Sequence, residues 1–212
     1  MTLPGTLDAL GDWWRGQHFD LRALALRFFW QPVIFSPEYR GNFIKSPVQL
    51  YLGLLQDLDL NVTPLPRPTL TALRQMCQLL YNPPNVRGWV GGRNWINSAT
   101  LAARRRLVES LFTPLNEERL NADEQRELAA VRTSGLDRFT VSPAQFSDLA
   151  KLVPAAAADE LLGNFLALPA SSEFRDRVSQ FLSPGTSDQA QRHRRVRRAA
   201  TVLLQSPEYQ LC

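Results

Sequence analysis

The chain has 212 residues, 44% of them hydrophobic and 21% charged, with a formal net charge of +4. This balance excludes wholesale disorder, and a chain this long buries roughly 70% of its unfolded surface without a disulfide or metal staple. No apolar run approaches the roughly 18–20 residues that span a bilayer, the first ten residues lack the pattern of a signal peptide, and two cysteines cannot form a disulfide scaffold.

In chain order the sequence reads as helix after helix. Asp20 to Phe29 is the first well-marked one. Ser36-Pro37-Glu38-Tyr39 and Ser206-Pro207-Glu208-Tyr209 are serine-proline starts with an acid in the first turn, and the two copies stand too far apart to be a solenoid repeat. Ser46-Pro47-Val48-Gln49 and Ser142-Pro143-Ala144-Gln145 each have the serine, proline and glutamine of a capping box. After the first box, Val48, Tyr51, Leu52, Leu55 and Leu58 line one face of a helix over 47–58.

Asn61 to Pro68, with three prolines, suits an extended connector. Leu73, Met76, Cys77 and Leu80 then stripe a helix over 70–80, which makes Cys77 a small buried hydrophobe. Helices are expected over 98–112 and 121–131, the latter from the box Asn121-Ala122-Asp123-Glu124. Phe139 and Val141 alternate like a strand too short to build a sheet. Three more stripes follow: Phe146, Leu149, Ala150 and Val153; Leu161, Leu162, Phe165 and Leu168; Phe174, Val178, Phe181 and Leu182. The expected fold is all-α, an irregular array of about eight to ten amphipathic helices in a single domain over 1–212. The polar stretch Thr113 to Asp137 is the place where it would divide.

The net charge sits in one segment. Ser187 to Gln205 holds five arginines against Asp188, and the rest of the chain balances. As a helix it buries Val196, Ala199, Ala200 and Leu203, leaving Arg194, Arg195, Arg197 and Arg198 on the opposite arc. With no aromatic residue interleaved, this is read as a solvated basic face; a phosphate or acidic-partner stripe is the alternative, and nucleic acid is disfavoured.

Catalytic and metal-binding spacings are missing. His18 and His193 stand far apart with no ligand cluster, Gly88, Gly91 and Gly92 lack the Lys and Ser/Thr of a phosphate loop, and no GxSxG elbow occurs. No catalytic residue, cofactor or metal is assigned.

One segment differs from the rest. Asn82 to Trp95 is a long loop stiffened by Pro83 and Pro84, freed by Gly88, Gly91 and Gly92, and carrying Trp89 and Trp95. Arg87, Arg93, Asn94 and Asn97 are nearby donors that with the tryptophans could hold a sugar ring or a carboxylate. The reading preferred here is structural: both tryptophans fold back onto the helices, and Asn97 or Ser98 caps the next one. Either Trp→Ala change then costs about 3–5 kcal/mol. Arg104, beside Leu101 and Val108 on the helix that follows, is placed to reach loop carbonyls or an acid.

The phrase LYNPPNVRGWVGGRNWINSATLAAR, ending at Arg104, resembles the signature of the bacterial family called domain of unknown function 1800. FFWQPVIFSPEYRGNFIKSPVQLYLGLL and LLQSPEYQLC resemble two further phrases of that family, in register from about Asp12 to Cys212. The resemblance implies that this is the C-terminal part of a longer type of protein, whose front half bears a histidine-rich phrase not found here. It brings no catalytic residues and implies a protein partner, either that front half or an exported companion in the bacterial envelope. The function expected is a non-catalytic helical interaction or scaffold module; the alternatives are part of a hydrolase-like or carbohydrate-handling enzyme, and weak polyanion binding through the basic helix.

Overall fold

The computed structural model describes residues 4–183 and 188–212. It is all-α: among the described residues there are nine α-helices joined by short 3-10 turns, with no β-strand. The chain divides into two compact units, Met1–Arg40 and Gly41–Cys212. The polar stretch Thr113 to Asp137 lies inside the second unit.

The first unit contains α1 (Pro4–Gly16) and α2 (Leu21–Phe29), followed by 3-10 turns at Pro32–Phe35 and Pro37–Tyr39. His18 and Phe19 both take positive φ in the tight turn between the helices. Trp14 closes that turn, with its indole Nε1 donating to the Asp20 carbonyl at 3.0 Å and its ring meeting Phe19 edge-on at 5.1 Å. Asp20 caps α2 by accepting from the Arg22 N–H. The first serine-proline start makes a single 3-10 turn, because Arg40 is already extended.

The second unit holds α3 (Pro47–Asp57), α4 (Pro66–Gln75), α5 (Ser98–Phe112), α6 (Ala122–Thr133), α7 (Pro154–Phe165), α8 (Ser172–Leu182) and α9 (Gln189–Leu204). Its entry, Gly41, has φ +68° and no room for a Cβ, which would lie 2.5 Å from Leu168 Cδ1. The capping boxes Ser46–Gln49 and Asn121–Glu124 form as expected, and Asn97 makes another with Thr100. α9 packs against α5, α7 and α8, burying Val196, Ala199, Ala200 and Leu203 as its spacing predicts. Leu50, Leu54, Val108, Leu161 and Leu204 complete the centre of the core. Phe139 and Val141 are buried too, but the Val141 N–H donates to the Leu111 carbonyl and no ladder forms.

Two helices depart from expectation. α4 starts four residues early, inside the supposed extended connector, because Pro66 occupies a first-turn position where a missing N–H costs nothing. It also ends early, in a Schellman turn: Gln78 N–H donates to Leu73 O, Cys77 N–H donates to Arg74 O, and Cys77 takes φ +66°. Cys77 is therefore exposed, not buried, and Leu80 lies beyond the helix.

The box at Ser142 does not open a helix. Ser142 Oγ accepts from the Gln145 N–H, but the Gln145 side chain donates to Leu58 O at 2.7 Å and Phe146 takes φ +72°. The Phe146 ring lies parallel to Phe112 at 6.3 Å and edge-on to Phe165 at 6.4 Å. Tertiary packing outweighs the local signal there, leaving turns and a short 3-10 segment at Leu149–Lys151.

Candidate functional site

The Pro/Gly/Trp-rich loop leads directly into α5. Asn85 Oδ1 accepts from the Arg87 N–H and the Asn85 carbonyl from the Gly88 N–H, closing a turn that Gly88 leaves with φ +78°. A 3-10 turn over Gly92–Trp95 follows, with Asn94 donating to the Gly91 carbonyl. It drives Trp95 into the interior, 7% exposed, and the Trp95 carbonyl accepts from the buried Thr100 hydroxyl at 3.0 Å. Trp89 is only half-buried, while Pro83, Pro84, Arg87, Gly91, Gly92 and Arg93 are exposed. Asn97 is committed to capping α5. The loop thus presents one tryptophan, not a pair, beside its arginines.

The residue best held by the fold is Arg104. It lies on the buried face of α5, one turn before Val108, and is 1% exposed. Nη2 donates to the Lys45 carbonyl at 2.8 Å and Nη1 to Gln210 Oε1 at 2.9 Å, whereas Nε is buried without an acceptor. These partners are neither loop carbonyls nor an acid, so the reach expected of Arg104 is corrected: it turns away from the tryptophan loop. Burial without a carboxylate pushes the guanidinium down to about 10.

The two partner segments also hold each other. Lys45 N–H donates to Gln210 O at 2.7 Å, Phe43 and Cys212 exchange backbone bonds, and Ile44 forms an antiparallel bridge with Leu211. The Lys45 ammonium sits 3.7 Å from the centre of the Tyr209 ring. Burial lowers its pKa, against the opposing pull of Asp57 and Cys212. Tyr209, fully buried, donates its hydroxyl to Asp57 Oδ2 at 2.6 Å; burial first, then that bond, raises the phenol well above its ordinary value. Tyr209 and Arg104 thus each tie the closing segment to the rest of the unit, Tyr209 through Asp57 and Arg104 through Gln210.

The phrases ending in Arg104, containing Lys45 and containing Tyr209-Gln210 therefore meet at one point. Sequence reasoning singled out Arg104 alone. Lys45, one of two lysines in the chain, and the recurrence of Ser-Pro-Glu-Tyr were the available signals for the others.

The basic face of α9 is divided. Arg194 and Arg198 are exposed. Arg195 donates to Ser183 O at 2.8 Å, just past α8, and Arg197 to Ser142 O, Phe112 O and Val141 O at 2.8–3.0 Å while lying over the Phe112 ring. Both satisfy backbone oxygens at or near helix ends, where a cation also complements the dipole. Among the described residues no group of three or more His, Cys, Asp or Glu is placed to hold a metal ion, and no helix is long and apolar enough to cross a membrane.

The class defined by this architecture is an all-α protein whose second unit is locked by a buried arginine. The chain belongs to the family described as Protein of unknown function (DUF1800), which matches residues 3–211. No curated protein and no solved structure matches it.

Proposed function

We propose that the protein is a non-catalytic helical interaction module whose first unit docks a protein partner. The observation that carries this is the surface of α2 and the turn after it, in which no residue is buried. Phe28, Phe29, Trp30 and Phe35 are exposed, Trp30 by 79% and Phe35 by 68%. Seven of the nine residues of α2 are apolar, Arg22 and Arg27 being the exceptions, and helices of 9 and 13 residues are marginal without packing. The family resemblance points to two protein occupants, the histidine-bearing front part of longer members or the exported companion. With Trp95 buried, the loop offers no tryptophan pair for a sugar and supports no second reading.

A photo-crosslinking amino acid at Phe29 or Phe35, in cells of the native host, should yield a discrete protein adduct that the same group at exposed Gln125 does not. Equal adducts at all three positions, co-sedimentation with lipid vesicles in place of an adduct, or turnover of an ester, glycoside or phosphate by the purified chain would overturn the proposal.

A further inference from the structure

The second unit carries a groove of about 510 Å³ between α8 and α9. Phe174, Val178 and Phe181, spaced i, i+4, i+7, form one wall, and Ala199, Val202 and Leu203 form the other. Phe181 and Val202 are exposed although both are apolar. Arg177 stands on the α8 side, 5.7 Å over Phe174, and Arg198 on the α9 side. Glu208 closes the end beyond α9. Neither arginine is among the backbone-tying ones, and exposed Arg194 extends the cationic side one turn further along a helix that contains no acid.

We infer that this groove receives an amphipathic helix from a protein partner, its apolar stripe on the groove walls, its carboxylates on Arg177 and Arg198, and a cation towards Glu208. The wall from Phe174 to Phe181 is about 10 Å long at 1.5 Å per residue, which is two helical turns and matches an i, i+3, i+4, i+7 stripe. A cation on each side favours a helix flanked by acids over a fatty acid, whose single carboxylate sits at one end. The inference rests on the interaction-module reading but concerns a different surface, so crosslinks at Phe29 and Phe35 are independent of its outcome.

The test uses the full chain and a synthetic 14-residue peptide with leucines at i, i+3, i+4 and i+7, flanking glutamates and a lysine at one end. Amide shifts should concentrate at Val178, Phe181, Ala199 and Val202. Binding should weaken as salt rises and fall at least tenfold in the double variant Arg177→Glu, Arg198→Glu. Val202→Asp, at an exposed position, should abolish binding while leaving the far-UV spectrum unchanged. No binding, equal binding of a scrambled peptide, shifts located elsewhere, or occupancy by dodecanoate alone would overturn the inference.

Discussion

A double-mutant cycle across Arg104 and Gln210 measures what the buried hub contributes. Their bond is 2.9 Å long between side chains 1% and 5% exposed, and a bond with a charged donor contributes about 1.5–3 kcal/mol. Arg104→Met deletes that bond and the one to Lys45 O, stranding two buried oxygens at about 1–3 kcal/mol each. It also relieves the desolvation that carries the guanidinium from 12.5 to about 10, about 3 kcal/mol at 1.36 kcal/mol per pH unit. The opposing effects leave a net change between about 1 kcal/mol gained and about 3 kcal/mol lost. Gln210→Leu alone should cost about 2–3 kcal/mol, because it strips a buried cation of one of two acceptors. With both replaced, neither penalty remains at this bond, so the two changes should couple by at least about 1.5 kcal/mol, against 0.3–0.5 for independent sites. Urea unfolding of the four proteins, followed by far-UV circular dichroism, reads the coupling. Additivity within about 0.5 kcal/mol would refute the claim that this bond locks the second unit.

The two tryptophans of the loop should separate. Trp95→Ala should cost about 3–5 kcal/mol, whereas Trp89→Ala at its half-buried position should cost about 1 kcal/mol; equal melting of the two variants would contradict the placement of Trp95. Tyr209→Phe loses the bond to Asp57 and about 1 kcal/mol at neutral pH. Because the folded phenol titrates above its ordinary 10.0, its contribution is whole below pH 10 and is lost progressively as pH rises from there towards the folded value. The stability gap between parent and variant should therefore narrow above pH 10, and a constant gap would refute the reasoning. Cys77 in the native protein should react with a disulfide reagent at a rate near that of a free thiol, since it is exposed after the end of α4; slow labelling would count against that helix end.

The helices were legible where a cap opened them, as at Ser46 and Asn97; of the stripe read after Ser46, Tyr51, Leu55 and Leu58 are buried, whereas Leu52 is exposed and the fully buried Leu50 and Leu54 lay outside it. Helices were misread where a side chain had business elsewhere. Gln145 completes a box in the sequence, yet its amide is spent on Leu58 O, and Phe146 is held between two phenylalanine rings from α5 and α7. Cys77 continues the stripe of Leu73 and Met76, but the Schellman turn that ends α4 depends on backbone bonds no stripe reveals. Asn97 and Trp95 could be placed because their partners lie within five residues. The Arg104 hub could not, because its acceptors stand 59 and 106 residues away in sequence, and a carbonyl carries no residue-type signature.

That separation has a consequence during synthesis. When Arg104 is added to the growing chain, Lys45 already exists, but Gln210 is 106 residues in the future. At 5–20 residues per second the ribosome needs about 5–20 s to supply it. Through that interval α5 can form while its arginine has one acceptor of two, so its guanidinium side must stay wet or be sheltered by a chaperone. The unit closes late, after its last ten or so residues have emerged.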